Sequence, residues 1–158
     1  MRLPRAVLVS VTVGGLVALV VVGLAVAQST PKVGSGDVVA DRQRLMKLNG
    51  ASWKDAQDKA KAGNIEAIVV SAETIAIIST HIPALFPKGS LTDKSNAKPE
   101  IWEKFGEFEA AAKNLETWAV KLRDTAKTKD ADATQAVIKD FGRQACGSCH
   151  TPFRKPLT

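Results

Sequence analysis

The chain has only two cysteines and two histidines, and three of those four residues fall in one stretch near its end, Cys146-Gly147-Ser148-Cys149-His150. Two thiols separated by two residues, with an imidazole directly after the second, form the pattern by which a c-type haem is attached. Each thiol adds across one vinyl group of the porphyrin to give a thioether, and the imidazole puts a nitrogen on the iron. On a helix, residues 146, 149 and 150 stand three, four and one apart, so both sulfurs and the imidazole leave one face toward a single ring. The spacing predicts one haem c, held by Cys146 and Cys149 and ligated by His150.

Other chemistries fit these residues less well. A tetrahedral zinc site needs the distant His81 as a fourth ligand and simultaneous coordination by the adjacent Cys149 and His150, which is awkward. A redox dithiol of the thioredoxin type needs a strand before the motif and a helix starting at it, whereas this motif lies late in a helical pattern. Peroxidase-type catalysis calls for a polar acid–base group over the haem, and His81, beside the helix-ending Ile82-Pro83, is the sole candidate. The expectation is a protein that is not an enzyme.

The N-terminus bears on the same question. Met1-Arg2-Leu3-Pro4-Arg5 precedes an apolar run from Ala6 to Leu24 and then Ala25-Val26-Ala27. A basic start, an apolar run and an A-x-A end predict a secretory signal over residues 1–27, cleaved after Ala27, with an uncleaved membrane anchor as the competing reading. Either one exports the rest, so the predicted location is the bacterial periplasm, where c-type haem is attached. Loss of Arg2 and Arg5 takes the Lys+Arg count from 22 to 20 against 16 Asp+Glu, a net +4. That mild excess, without an arginine stripe interleaved with aromatics, argues against nucleic-acid binding and suits a solvated surface or an acidic partner.

The elements that must position the motif are all helical. Residues 28–36 are small and polar and read as a flexible leader. Asp37 suits an N-cap, and Val38, Val39, Arg42, Leu45, Met46, Asn49 and Trp53 recur at helical spacing after it. A second helix is predicted from Asn64, with Ile65, Ile68, Val69, Ala72, Ile75, Ala76, Ser79 and Ile82 as one stripe ending at Pro83. The long connection from Pro83 to Lys98 is a candidate wall of the cofactor pocket. A third helix is predicted from Pro99 through Leu122, and a fourth from about Ala133, with Ala136, Val137 and Phe141 inward, through the motif to Phe153. Four amphipathic helices predict an all-α fold, an antiparallel four-helix bundle over residues 37–158 with the haem near the C-terminal helix.

With the haem motif at the C-terminal end of such a pattern, residues from about 36 to 158 resemble the class II c-type cytochromes, the cytochrome c′ and cytochrome c-556 family. Arg42-Gln43-Arg44-Leu45-Met46-Lys47 is similar to the family's first-helix pattern, which implies Arg42 as partner of a haem propionate and Met46 as the residue on the distal face. Ile82-Pro83-Ala84-Leu85-Phe86 resembles the turn that brings an aromatic ring, here Phe86, toward that face. Ala97-Lys98-Pro99-Glu100-Ile101-Trp102 is similar to the family's third-helix start. Phe153-Arg154-Lys155 is similar to its ending and implies Arg154 beside the proximal side. The main functional expectation is electron transfer with redox partner proteins, the iron taking His150 and Met46 as its two axial ligands. The alternative is a five-coordinate iron that binds nitric oxide or carbon monoxide. A homodimer is a further expectation.

Replacing both Cys146 and Cys149 with alanine is expected to abolish retention of haem through denaturation, seen as loss of haem stain on a denaturing gel. Haem that washes out of the unfolded wild-type chain would overturn covalent attachment.

Overall fold

Asp37 caps the first helix, as its sequence position predicts: its carboxylate accepts from the backbone N–H groups of Val39 and Ala40, both at 3.0 Å. The computed structural model describes residues 34–156, so the signal segment 1–27 and leader residues 28–33 lie outside the described residues. Residues 34–36 fold back on the helix start, where Ser35 donates to Asp41 through its N–H (2.8 Å) and its hydroxyl (3.0 Å). Helix α1 runs Val38–Lys61, continuous through Gly50.

Helix α2, Ile68–His81, starts three residues later than its stripe suggests, because Ile65 to Ala67 form a turn and no side chain caps its N-terminus. Pro83 has no N–H to continue it, and a 3-10 turn, Pro83–Leu85, follows. The third predicted helix is interrupted. A short α3, Glu100–Glu103, gives way at Lys104 (φ −125°, ψ 46°) to α4, Phe105–Lys127. Gly106 weakens helix propensity there, and the Trp102 indole N–H is committed to the carbonyls of Phe86 and Pro87 at 3.1 and 3.0 Å. After a turn with Lys129 at φ 62°, the Asp130 carboxylate accepts from Ala133 N–H and opens α5, Ala131–Phe141.

The four long helices pack as the corners of a square, α1 on α2, α2 on α4, α4 on α5 and α5 on α1, with no contact across either diagonal. This is the four-helix bundle expected. Its core is built from Ile68, Ala72 and Ile75 of α2, Phe108, Leu115, Ala119 and Leu122 of α4, and Val137, Ile138 and Phe141 of α5. The inward set of α5 is a correction: Ala136 is exposed, and Thr134 and Ile138 face the core with Val137 and Phe141. A stripe read from Ala136 is out by a residue, since alanine is apolar enough to suit either side.

The last predicted helix is also not uniform. Residues Gly142–Gly147 form a π-helical turn before α6, Ser148–Phe153. A π turn leaves carbonyls outside the usual i→i+4 ladder, and Asn114 of α4 meets one of them, donating to the Gln144 carbonyl (2.7 Å) and to the Ser148 hydroxyl (3.0 Å). No helix among the described residues is long and apolar enough to cross a membrane.

Ile75 and Ile77 lie two residues apart on α2, one fully buried and the other 54% exposed. Ile75→Ala is expected to cost about 2–5 kcal/mol in urea denaturation and Ile77→Ala no more than about 0.5 kcal/mol. Equal losses would contradict the packing described.

Candidate functional site

Helix α1 touches α2, α5 and the 3-10 turn but neither the π turn nor α6. Between α1 and that C-terminal segment lies a mostly apolar cavity of about 470 Å³, within the range of small-molecule and cofactor sites. One wall is the α1 stripe Val39, Arg42, Met46, Asn49 and Trp53, spaced three or four residues apart. The opposite wall carries Cys146, Cys149, His150, Phe153 and Arg154. Phe86 and residues 95–97 close one side, and Ile101, Phe108 and Leu115 form the floor. The structure therefore gathers every site residue picked out by sequence, namely Arg42, Met46, Phe86, Cys146, Cys149, His150 and Arg154, around one space. His81 is exposed and does not line it. Among the described residues no cluster of three metal-ligating side chains occurs.

Cys146 and Cys149 are free thiols at intermediate burial. Burial raises the pKa of both, that of Cys149 to about 11, with the Cys146 thiol adding to the shift and Arg154 opposing it. Both sulfurs are therefore neutral near pH 7. His150 moves the other way: burial, with Arg154 adding to it, lowers its pKa. The imidazole is thus held neutral, the form with a lone pair for a metal.

Arg42 is the unusual member of the facing wall, a guanidinium only 5% exposed with no carboxylate partner among the described residues. Nε donates to the Leu85 carbonyl, Nη1 to the Ser90 carbonyl at 3.1 Å and Nη2 to the Ser90 hydroxyl. Its Cζ lies 4.1 Å from the centroid of Phe86, whose ring packs edge-on against Phe108 at 4.7 Å. Burial lowers the Arg42 pKa, yet the side chain stays charged. Five N–H donors less these three leaves two, and an unneutralised buried charge calls for an anion. Two thiols and a neutral imidazole on one wall, a cation with donors to spare on the other, and apolar sides between them fit a haem with its carboxylates at the Arg42 end.

Several contributors were not legible in sequence. Ser90 holds Arg42 from 48 residues away, and the turn that presents it, with Ser90 N–H on the Pro87 carbonyl and Gly89 at φ 82°, reads only as a loop in Pro87-Lys88-Gly89-Ser90. The 94–98 segment is strapped to the chain end by an Ala97–Arg154 bridge, with Lys98 N–H on the Phe153 carbonyl (3.0 Å) and Lys155 N–H on the Asn96 carbonyl (2.8 Å). Arg154 is so held beside Cys149 and His150.

Comparison with known proteins gives a consistent picture. Residues 37–154 match the family model described as Cytochrome C′. The chain is 35% identical over 114 residues to cytochrome c-554 of Cereibacter sphaeroides, covering 70% of this chain and 71% of that one. It is 35% identical over 147 residues to cytochrome c′ of Rhodopseudomonas palustris, covering 90% and 93%. In structure it resembles a nitric oxide complex of a variant cytochrome c prime from Alcaligenes xylosoxidans, with a TM-score of 0.67, 26% identity, and coverage of 77% of this chain and 95% of that one.

These findings correct the expectation of an electron-transfer haem with His150 and Met46 as paired axial ligands. The family matched is that of cytochrome c′, and the solved neighbour of the same fold holds nitric oxide, so the alternative with an open iron position fits better. The packing gives a physical reason. Met46 is a partly buried side chain set against the hydrophobic core, the ordinary filling role of a flexible thioether.

Arg42→Lys keeps the charge but loses the fork that reaches Leu85 and Ser90 together. It is expected to cost about 1–3 kcal/mol in stability and to speed amide exchange at residues 85–90. Unchanged exchange there would show that the loop does not depend on Arg42.

Proposed function

The chain belongs to the cytochrome c′ family, whose cofactor is haem c, and from that premise we propose that it is an exported, periplasmic haem c protein that binds a diatomic gas and catalyses no reaction. Cys146 and Cys149 would hold a single ring through two thioethers, and His150 would supply the protein's ligand to its iron. The chemistry the haem would supply when bound is that of a Lewis-acid iron able to take nitric oxide or carbon monoxide. The observation that carries this reading is the composition of the α1 wall, which faces His150 across the cavity with no histidine among its described residues: His81 is exposed outside it.

The remaining residues position and exclude. Arg42 directs its two spare N–H groups at a propionate, an ion pair in an apolar wall that fixes the orientation of the ring. Phe86 keeps the guanidinium in place from its other face. Met46, one turn along α1, fills space over the ring, limiting what enters to small ligands and keeping bulk water from the iron. Arg154 lies on the His150 side, where its charge favours the neutral imidazole. Similarity to a cytochrome c prime that holds nitric oxide supports the choice of ligand.

Absorption spectra of the purified ferric and ferrous protein, with and without carbon monoxide, test the reading. High-spin spectra are expected in both oxidation states, with carbon monoxide taken up by the ferrous form, and Met46→Ala should speed that uptake without changing the spin state. A low-spin wild type that turns high-spin in Met46→Ala would overturn it.

A further inference from the structure

The inward stripe of α5, formed by Thr134, Val137, Ile138 and Phe141, fixes where its continuation should face. At about 3.6 residues per turn, an unbroken α-helix would carry that stripe on through residues 144, 145, 148, 149 and 152. The helical residues that line the cavity are instead Ala145, Cys146, Cys149, His150 and Phe153, the same series one place later. Without a correction, Cys146 and His150 would point about 140° and 180° away from the direction of Phe141. The backbone stays helical at both junctions, with φ and ψ of −53° and −50° at Phe141 and −59° and −31° at Ser148, so no break in the chain makes the change. What lies between the two stripes is the π turn Gly142–Gly147. A single π turn takes one residue more than the α pattern, and so delays everything after it by one residue, about 100° of rotation.

Such a turn persists where partners take up the carbonyls it displaces. The Asn114 amide nitrogen has one N–H for each of two partners, the Gln144 carbonyl (2.7 Å) and the Ser148 hydroxyl (3.0 Å). That hydroxyl donates in turn to the Ala145 carbonyl at 3.0 Å. Asn114 sits on α4 next to the buried Leu115, so it ties the turn to the bundle core. We infer that the π turn absorbs one surplus residue between α5 and the haem motif, and that Asn114 is the positioning residue that keeps it there and so aims Cys146, Cys149 and His150 into the cavity. Asn114 does not line the cavity and acts through the turn alone. The inference rests on His150 as the iron ligand, proposed above, and adds what sets its direction.

The test removes the surplus residue. Arg143 is an exposed member of the turn whose ion pair with Asp140 lies at the surface, where such a pair adds little. Its deletion should leave an unbroken α-helix with the motif still facing the cavity. The deleted holoprotein should therefore keep covalent haem by intact mass and an unchanged iron–histidine stretch in the ferrous resonance Raman spectrum. In the undeleted chain Asn114→Leu should broaden that stretch and speed amide exchange at residues 142–148 about tenfold; in the deletion variant it should change neither. A deletion variant that loses haem, loses the stretch or does not fold overturns the register reading. An Asn114→Leu effect that is equal in the two backgrounds, or absent from both, overturns the role of Asn114. A wild type with no such stretch overturns the open, His150-ligated iron of the proposed function and this inference with it.

Discussion

Helix α1 and the C-terminal segment face one another across a space that the chain's own side chains do not fill, and that separation shapes the rest of the molecule. A bundle of this size gains its stability by closing apolar faces on each other. Here α2 and α4 do so along their length, through residues such as Ile75, Leu115 and Leu122. One face of α1 is instead turned to the cavity, with Val39, Met46 and Trp53 on it. Haem c, the cofactor of the family to which the chain belongs, is a flat and largely apolar ring that would complete that face and so serve as part of the core.

The wall residues are held by devices that lie outside the helices. The connection between α2 and α3 is anchored at one end by Arg42, whose donors reach Leu85 and Ser90, and by the Trp102 indole on the carbonyls of Phe86 and Pro87. At its other end it is strapped to Phe153, Arg154 and Lys155. A loop fixed at both ends makes a firm side to the cavity and keeps Phe86 in contact with Arg42. The π turn does the corresponding work on the opposite wall, where Asn114 takes up the freed carbonyl of Gln144 and α4 thereby holds the segment carrying Cys146. Binding a small ligand selectively requires such fixed walls, because a diatomic molecule offers too few contacts to organise them itself.

Much of this is legible in residue order. The motif at 146–150 names the cofactor chemistry, Asp37 marks the start of α1, Pro83 marks the end of α2, and the periodicity of α2 and α4 predicts the core. What is not legible depends on contacts far apart in the chain. Nothing local to Pro87-Lys88-Gly89-Ser90 says that its serine meets an arginine on α1, and nothing in Gly142–Gly147 separates a π turn from an ordinary helix until Asn114 is seen beside it. The kink at Lys104 likewise follows from Trp102 being tied to the loop. Ala136 falls on the solvent side of α5 although its spacing suits the inner stripe, because a small apolar residue satisfies either face. Met46 shows a different limit. Its place on the cavity wall one turn from Arg42 is readable from spacing, but whether a thioether there binds a haem iron or only packs beside it is not.

That distinction decides between an electron carrier and a gas-binding protein, and X-ray absorption at the iron edge of the holoprotein reads it at the atom concerned. In both oxidation states and without added gas, the account predicts a first shell of nitrogen scatterers from the ring and His150, with no sulfur at bonding distance. A sulfur scatterer bonded to iron in either state would place Met46 on the metal and contradict the open site on which the proposed function rests.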